Sequence, residues 1–505
     1  MKKLIILSAL ALSAFAVQAG EPAVTLPNGG TVEVIWQTPS SVRIIKTPDG
    51  KEWSKTSYSV IYEPQTVKVK TTDTGSAVTY SSTVLTLSLD KQTGVITYST
   101  PKGDKLAKET APASFKVLND AGTSTYTVAQ SFALDSDEDI FGLGILQNGK
   151  MSQRGEKGRY LCPGNTEDGI PFIQSIKGYG IFWDNTSTTA FTDADGQMTF
   201  SSEVGDIVDY YFIYGGNADG VIAEIRELTG DVPMVPMWAY GFFQSKERYK
   251  SQDEIVGVLK KYRELGVPID CMVQDWQYWG NNYLWNAMEF MSEDFPNPQA
   301  MVDAIHGENG HCIISVWQSF GPATKPYREL DAKGLLFDME TWPQSGISHI
   351  WPPRMDYPSG VRVIDAYSPE ARDIYWKHLT RLYDLGLDGW WMDSTEPDHH
   401  SQKPEDFDHK TAAGTYRSVR LAFPICAVGG VYDHQRAVSD STRVIILTRS
   451  GSFGQQRYGS NVWSGDVSSN WDMLRKQIPA GLNYSLTGNP NYNSDLGGFF
   501  AGAYN

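Results

Sequence analysis

Residues 387–398 read Leu387-Asp-Gly-Trp-Trp-Met-Asp393-Ser-Thr-Glu-Pro-Asp398, an apolar and aromatic run that ends in a cluster of acids. The run follows Gly386, a residue typical of a helix end, and therefore predicts a buried parallel strand with carboxylates at its carboxyl end. Enzymes built on parallel barrels carry their catalytic groups at that end of the strands. Asp393 is accordingly the first candidate for a catalytic group.

The sequence around this stretch alternates apolar runs with helical patterns, which is typical of parallel βα units. Helix signals include a capping box at residues 251–254 and the pair Ser368-Pro369 ahead of an amphipathic segment that stops at Gly386. Strands are predicted at residues 239–243, 269–275, 312–317, 389–393, 444–448, 461–463, 484–486 and 492–495. Eight strands predict a (β/α)8 TIM barrel over residues 231–505, with residues 334–365 as a long loop over its mouth.

The amino-terminal part has a different rhythm, since apolar residues recur there with a period of two from about residue 24 to 215. The clearest alternating stretches are residues 31–36, 41–45, 66–70, 83–89 and 95–98, and turn signals separate them. An all-β domain, a β-sandwich, is therefore expected over residues 20–230. A helix at residues 218–228 closes at Gly230, and Pro233 and Pro236 mark the boundary.

The first nineteen residues have the pattern of a secretory leader. Lys2 and Lys3 precede a short apolar run at residues 4–16, and Val17-Gln-Ala19 has the small-residue spacing of a cleavage site. We predict a signal peptide at residues 1–19 and an exported protein, either periplasmic or secreted. No later stretch is long and apolar enough to suggest membrane insertion.

Composition narrows the choice of partners. The net charge is −16, and there is no run of Lys and Arg that could bind nucleic acid. The four cysteines lack metal-ligand spacing and are expected to be buried thiols, and His399-His400 has no third ligand spaced to join it. A neutral small-molecule substrate fits this charge better, and no metal site is predicted.

The carboxyl ends of the predicted barrel strands bring several functional side chains to one pocket. These are Asp275, Trp317, Asp393, Arg449, Asp466 and Asp495. Hydrolysis of a glycosidic bond needs two carboxyl groups that flank the anomeric carbon, one ionised and one protonated. A pocket of several acids with an arginine and aromatic walls suits that reaction.

Each of these residues also has a structural explanation. Asp393 is compatible with a metal ligand or a helix cap, and Asp466 with a cap for the helix that follows it. Glu396 precedes Pro397 and either stiffens the turn or hydrogen-bonds a sugar hydroxyl. Arg449 is compatible with a structural ion pair among the acids.

Taken together, the motifs resemble glycoside hydrolase family 31. Trp391-Met-Asp393-Ser-Thr-Glu396-Pro is similar to the nucleophile motif of bacterial α-xylosidase-like members, and Arg449-Ser450 followed by Trp463-Ser-Gly-Asp466 is similar to the acid/base motif. The resemblance implies that Asp393 is the nucleophile, that Asp466 is the acid/base and that Arg449 binds the sugar. It also implies a retaining mechanism, with no metal or organic cofactor.

Two further motifs extend the resemblance. Val273-Gln-Asp275-Trp276-Gln-Tyr-Trp279 is similar to the strand whose Asp binds sugar hydroxyls, and Ser494-Asp495-Leu-Gly-Gly-Phe499 is similar to the family's last-strand motif. We expect Asp275, Trp276, Trp317, Trp391, Glu396, Arg449, Trp463 and Asp495 to bind substrate. An α-xyloside lacks the C6 hydroxymethyl group, and Trp276 is expected to fill that space.

Members of this family continue past the last strand into a helix and C-terminal β-domains. The chain is therefore expected to be C-terminally truncated, with a barrel that lacks its last helix. The favoured activity is an exo-acting α-xylosidase that releases α-linked xylose from oligosaccharides, and an α-glucosidase is the alternative within the family. An inactive glycan-binding remnant is the alternative from another class, and the oligomeric state is left open.

Overall fold

The computed structural model describes residues 22–64, 66–339, 341, 360–397 and 403–501. The predicted leader, His399 and His400, and most of the predicted loop at residues 334–365 lie outside the described residues. Within the described parts, no helix has the length and apolar character needed to cross a membrane.

The amino-terminal domain is built from antiparallel strands. They are β1 (Val24–Thr25), β2 (Thr31–Trp36), β3 (Ser41–Thr47), β4 (Lys70–Asp73), β5 (Ala77–Ser81), β6 (Thr86–Asp90), β7 (Ile96–Ser99), β8 (Lys105–Lys108), β9 (Ser114–Asp120), β10 (Thr123–Ala133), β11 (Ile140–Ile145), β12 (Arg159–Leu161), β13 (Asp168–Ser175), β14 (Tyr179–Trp183), β15 (Thr189–Ala194), β16 (Gln197–Gly205) and β17 (Val208–Tyr214). One sheet has the order β1-β2-β3-β17-β14-β13-β11, a second has β12-β15-β16-β10-β9, and β4 to β8 form a meander.

Residues from all three sheets enclose one apolar core. Val34 of β2, Leu87 of β6 and Phe132 of β10 are among its buried members. The period-two pattern correctly predicts β2 and β3, because alternate residues on these strands point into that core. The strand predicted at residues 66–70 is wrong in position, since the strand of that region is β4, with all four of its residues exposed.

The second half of the chain alternates strands and helices as predicted. Its elements are α1 (Ala218–Thr229), β18 (Phe243–Gln244), α2 (Gln252–Glu264), β19 (Cys271–Gln274), α3 (Pro298–Gly307), β20 (His311–Trp317), β21 (Ser319–Phe320), α4 (Lys325–Asp331), β22 (Arg362–Val363), α5 (Pro369–Asp384), β23 (Gly389–Asp393), β24 (Lys410–Thr411), β25 (Gly414–Thr415), α6 (Tyr416–Val419), α7 (Phe423–Val438), β26 (Ile446–Thr448), β27 (Ser460–Trp463), α8 (Trp471–Leu486) and β28 (Tyr492–Asn493). Short 3-10 helices lie at Met237–Tyr240, Asn282–Leu284, Pro404–Asp408, Arg420–Ala422 and Gln455–Tyr458.

The central sheet is parallel, with its strands in the order β18-β19-β20-β23-β26-β27-β28. It is the strand layer of a TIM-barrel domain, and helices such as α3, α5 and α7 bury their apolar faces against its outer side. In the described part of the chain this sheet has seven strands, with β18 and β28 at its edges.

Two of the eight predicted strands need correction. The stretch at residues 484–486 is the last turn of α8, where Tyr484 and Ala480 share one buried helix face. At residues 239–243 the chain begins as a 3-10 helix, and the strand β18 starts only at Phe243.

The helix signals are confirmed. Ser368 caps α5 by accepting a hydrogen bond from the Ala371 N–H, and Ser251 caps α2 in the same way. The predicted helix at residues 218–228 is α1, which ends at Gly230. All four cysteines are free thiols; Cys271 and Cys312 are buried, whereas Cys162 and Cys426 are half-buried.

Candidate active site

The ends of the parallel strands open into one large cavity of about 1350 Å³. Nine of the ten residues predicted for the site line it: Asp275, Trp276, Trp317, Trp391, Asp393, Arg449, Trp463, Asp466 and Asp495. Each of them lies at or within three residues of the carboxyl end of its strand. The expected convergence of the strand ends is what places these side chains together.

Alternation along β23 explains why Asp393 faces this cavity. Trp390 and Met392 are buried in the core on the helix side, and the indole N–H of Trp390 donates to Gln435 of α7 at 2.7 Å. Trp391 therefore points to the other side of the sheet, where its ring lies edge-on to Trp463 with 5.5 Å between ring centroids. Asp393 continues that inner row at the end of the strand.

Arg449 connects the acids of the site. Its Nη1 lies 3.3 Å from Oδ1 of Asp393 and 3.7 Å from Oδ2 of Asp466, and its Nη2 is paired with Glu396. The guanidinium is almost fully buried, with 3% of the side chain exposed, so water screens these pairs poorly. The arginine therefore compensates part of the negative charge that the strand ends concentrate here.

Asp393 is difficult to ionise in this setting. Burial raises its pKa to about 7; Arg449 opposes that rise, while the charges of Asp466 and Glu396 add to it. The N–H of Ser394 donates to the Asp393 carboxyl at 2.7 Å and favours the ionised form. Asp393 therefore changes between its protonated and its ionised form near neutral pH.

Two other acids of the cavity share this behaviour. Burial holds the pKa of Asp275 well above its usual range, and the neighbouring charge of Asp393 adds to the effect. Burial, together with the charge of Asp466, raises the pKa of Asp495 to about 6. Burial, with the neighbouring like charges, raises the pKa of Asp275, Asp393 and Asp495, so these three carboxyl groups hold protons at pH values where isolated carboxyl groups would have lost them.

An aromatic wall stands beside Asp275. The ring of Trp276 lies 5.6 Å from that of Trp285, which in turn meets Trp317 at 4.7 Å. The guanidinium of Arg248 lies over the ring of Trp276, 5.0 Å from the ring centroid. Trp276 therefore contacts both a cation and an aromatic ring, and it lines the cavity.

Glu396 is placed differently from the other predicted site residues. It does not belong to the described cavity lining, because its buried carboxyl is turned toward Arg449 and accepts a hydrogen bond from Ser450 Oγ at 3.2 Å. Next to it lies Asp168 of β13, which accepts from the Gly451 N–H at 2.7 Å. Burial keeps the pKa of Asp168 well above its usual range.

The alternative explanation of Asp466 as a helix cap is wrong. Asn470 caps α8, since its side chain accepts from the Met473 N–H at 2.8 Å. As for metal binding, no group of three or more His, Cys, Asp and Glu side chains within the described residues is arranged to hold an ion.

Asn165 and Asn461 are two of the polar cavity residues that sequence reasoning missed. Asn165, from the loop between β12 and β13, makes two hydrogen bonds to Asp466. Asn461 of β27 lines the cavity, and its buried Oδ1 has no hydrogen-bond partner among the described residues. Pro163-Gly164 is a pair typical of a loop, but nothing in the sequence pairs Asn165 with a residue 301 positions away.

Comparison with known proteins matches both halves of the chain to one family. The family model described as "Glycosyl hydrolases family 31 TIM-barrel domain" matches residues 232–505, and the "Glycosyl hydrolase 31 N-terminal galactose mutarotase-like domain" matches residues 31–191. The chain is 36% identical over 487 residues to an alpha-xylosidase of Saccharolobus solfataricus, which covers 93% of this chain and 62% of that protein. It therefore spans about three fifths of the length of that relative.

Other relatives are more distant. The chain is 30% identical over 379 residues to an uncharacterized family 31 glucosidase of Pseudescherichia vulneris, covering 75% of this chain and 69% of that protein. Among solved structures, the GH31 alpha-xylosidase from Xanthomonas citri superimposes with a TM-score of 0.88 at 26% identity, over 96% of this chain and 69% of that one. By the barrel match over more than half of its length and by these relatives, the chain belongs to glycoside hydrolase family 31.

Proposed function

We propose that this chain carries the catalytic centre of a retaining, exo-acting α-glycosidase, and that its substrates are oligosaccharides ending in α-linked xylose. The single observation that carries the proposal is the position of Arg449 Nη1 between the carboxyl groups of Asp393 and Asp466. Two acids at the mouth of a barrel, joined by one buried cation, form the pair that glycosidic cleavage requires.

The two carboxyl groups take different parts in the reaction. Ionised Asp393 attacks the anomeric carbon and forms an ester while Asp466 gives its proton to the leaving oxygen, so that the glycosidic C–O bond breaks. Asp466, now ionised, then removes a proton from water, and the resulting hydroxyl displaces Asp393 from the anomeric carbon. Both steps use carboxyl chemistry alone, and the product keeps the configuration of the substrate.

The preference for xylose is argued from the cavity wall. Trp276 follows Asp275 directly, and its backbone N–H donates to the Asp275 carboxyl at 2.7 Å. A sugar whose hydroxyls bind Asp275 would meet the Trp276 ring where glucose carries its C6 hydroxymethyl group. The buried indole N–H of Trp391 has no hydrogen-bond partner among the described residues and is a donor suited to a sugar hydroxyl.

Similar proteins support the same choice without deciding it. Relatives named alpha-xylosidase occur at 36% and 27% identity, while one named alpha-glucosidase 2, from Bacillus thermoamyloliquefaciens, is 26% identical. The sugar must therefore be decided by assay.

The first test compares hydrolysis of aryl α-xyloside and aryl α-glucoside by this chain and by a version extended with a family-like C-terminal part. Turnover of the xyloside by either protein, abolished in Asp393→Ala with the fold intact, supports the proposal. Turnover of the glucoside alone would mean that the substrate sugar is glucose and not xylose. No turnover by either protein would favour an inactive glycan-binding remnant. Release of α-xylose, followed by NMR before mutarotation, tests retention.

Trp276 provides the test of sugar choice. Trp276→Ala should raise activity on the aryl α-glucoside relative to the xyloside, because the space for C6 is opened. Trp279→Phe, a change at a buried tryptophan of the same loop, is the matched control. An unchanged ratio of the two activities in Trp276→Ala would show that Trp276 does not determine the sugar preference.

We also propose that the protein is exported, on the pattern of residues 1–19. Cell fractionation followed by amino-terminal sequencing tests this proposal. A mature chain beginning at Gly20 supports it, and a cytoplasmic chain beginning at Met1 contradicts it.

A further inference from the structure

Asn165 reaches from the amino-terminal domain to the backbone and side chain of Asp466. Its Nδ2 lies 2.6 Å from Oδ2 of Asp466, and its Oδ1 accepts the Asp466 N–H at 2.9 Å. A backbone N–H only donates, so it requires the amide oxygen of Asn165 on its side. The amide NH₂ must then face the carboxyl, which fixes the direction of both hydrogen bonds.

The loop that carries Asn165 is anchored at the two residues that follow it. Gln147 donates to the Thr166 carbonyl at 3.1 Å, and Arg159 pairs with Glu167 at 3.0 Å. Thr166 has a φ of +72°, a conformation that a β-branched residue adopts only when its surroundings impose it. These contacts hold Asn165 in one place although its side chain is exposed.

Gly465 makes the approach of this loop possible. A Cβ atom at position 465 would lie 2.4 Å from both Asn165 Oδ1 and the Thr166 backbone nitrogen, and the φ of +73° there also favours glycine. These contacts explain why the Trp463-Ser-Gly-Asp466 motif has a glycine at position 465. It leaves room for an asparagine from another domain.

The two oxygens of Asp466 consequently have different surroundings. Oδ2 receives the N–H of Asn165 and lies 3.7 Å from Nη1 of Arg449, so both of its neighbours are donors. A proton on Oδ2 would face these donors with no acceptor to receive it. Among the described contacts, both of these donors lie on Oδ2, and none lies on Oδ1.

We propose that Asn165 is the positioning residue of the acid/base: it holds Asp466 so that Oδ1 carries the proton to the leaving oxygen and later removes one from water. This inference rests on the proposed function, since it assigns a partner to the acid/base of that mechanism. Asn165 acts through Asp466.

The test uses two substrates that differ in their need for a proton. α-Xylosyl fluoride has a leaving group that departs with little help from an acid, whereas an alkyl α-xyloside needs full protonation of its leaving oxygen. The variants are Asn165→Ala, Asn165→Asp and Asp466→Ala, made in the form of the protein that the first experiment shows to be active. The quantity compared is kcat/KM, which reports the step in which the leaving group departs.

In Asn165→Ala we expect kcat/KM to fall about tenfold or more on the alkyl xyloside and to change less than about twofold on the fluoride, as for a partial loss of acid catalysis. Asn165→Asp keeps the acceptor for the Asp466 N–H but sets an acceptor against Oδ2, so it should lose at least as much. Asp466→Ala should show the same selectivity more strongly.

Thr186→Val is the matched control, because Thr186 also belongs to the amino-terminal domain and donates one hydrogen bond to the barrel, to the Ser418 carbonyl at 2.7 Å. It should leave both substrates unaffected. Equal losses on both substrates in Asn165→Ala, or no loss on either, overturn the inference while Asp466 keeps its role. If Asp466→Ala loses kcat/KM equally on both substrates, or if no form of the protein is active, the proposed function is overturned and the inference with it.

Discussion

Arg449 contacts three carboxyl groups, those of Asp393, Glu396 and Asp466, just beyond the end of β26. Asp393 must be ionised to attack, yet burial disfavours its charge, and Arg449 is the first influence that favours it. The balance between these two effects sets the pH at which the proposed nucleophile becomes available.

We therefore expect kcat/KM on an α-xyloside to rise as the pH passes through about 7, the pKa of Asp393. Arg449→Met removes the positive charge that lowers this pKa, so the rise should move to higher pH. The plateau should also fall by about a hundredfold or more, as for the loss of a donor that stabilises transition-state charge. pH–rate profiles of both proteins measure these changes.

Arg457→Met is the control for this substitution. Arg457 is a partly buried arginine that donates to the carbonyls of Tyr58 and Ser59, and it does not line the described cavity. The midpoint of its pH profile should match that of the unaltered protein. An unmoved midpoint in Arg449→Met would show that Asp393 does not control the profile.

The raised pKa of Asp393 should also make the stability of the fold depend on pH. Its pKa is about 7 in the folded chain against a usual 3.8, so the folded state binds this proton more tightly than the unfolded state. Its contribution to stability is fully present below about pH 4 and is lost as the pH rises to about 7. Asp393→Asn has no charge to bury, and it should be more stable than the unaltered protein at pH 8, by at most on the order of 4 kcal/mol.

Thermal unfolding of the two proteins at pH 5 and pH 8 measures this effect. The stability gained in Asp393→Asn should be clearly smaller at pH 5, where the unaltered Asp393 is still largely protonated when folded. The same gain at both pH values would contradict the assignment.

The sequence predicted the acids and the arginine because each of them ends a strand, and strand ends converge in any parallel barrel. It could not predict Asn165, because that residue lies in a loop without periodicity and meets Asp466 only through the packing of two domains. Glu396 belongs to both cases: its place near the site was predictable, but its turn toward Arg449 and Ser450 depends on side-chain packing.

At the scale of elements, α8 shows where pattern reasoning fails. The run Tyr484-Ser-Leu486 is short and follows Pro479, which suggests a break followed by a strand. In the structure the helix continues through Pro479, because Ala480 and Tyr484 pack on the core that the two domains share. Burial by a neighbouring domain is not visible in a window of three residues.

Asn483 fixes α8 to the amino-terminal domain. It is 1% exposed, and its Oδ1 accepts the Gly142 N–H of β11 at 2.7 Å, while its Nδ2 donates to the carbonyls of Lys150 and Met151. Asn483→Ala leaves the buried N–H of Gly142 without this acceptor, and we expect the free energy of unfolding to fall by about 1–3 kcal/mol. Urea titration measures the change.

Ser485→Ala is the matched control on the same helix, because among the described contacts the Ser485 side chain bonds only the Gly481 carbonyl of its own helix. It should change stability by less than about 0.5 kcal/mol. Similar losses in both variants would mean that the contact between α8 and β11 is not what Asn483 contributes.

At the scale of the whole molecule, the two domains share an apolar core. Phe453 of the barrel stacks on both Phe172 and Phe182 of the amino-terminal domain, with ring centroids at 5.1 and 4.0 Å. Ile145, Val462 and Tyr484 also belong to this cluster. We therefore expect the two domains to unfold as one cooperative unit.

Phe453→Ala tests this expectation. The substitution leaves a cavity in the shared core and should cost about 3–5 kcal/mol. Hydrogen exchange followed by mass spectrometry across a urea series should show peptides of β14 and β23 losing protection in the same step, at a lower urea concentration than in the unaltered protein. Phe115→Ala, at a ring that packs on the core of the amino-terminal domain alone, is the control. Separate steps for the two peptides would show that the domains are independent.

The hydrogen bonds between Asn165 and Asp466 have an evolutionary consequence. The loop at residues 163–167 and the glycine at position 465 fit each other to within the size of one methyl group. A recombination event that joined this barrel to the β-domain of a distant relative could therefore preserve both folds and still disrupt the position of Asp466. We therefore expect the two domains to be inherited together, and substitutions in the loop and in the motif to covary along the lineage.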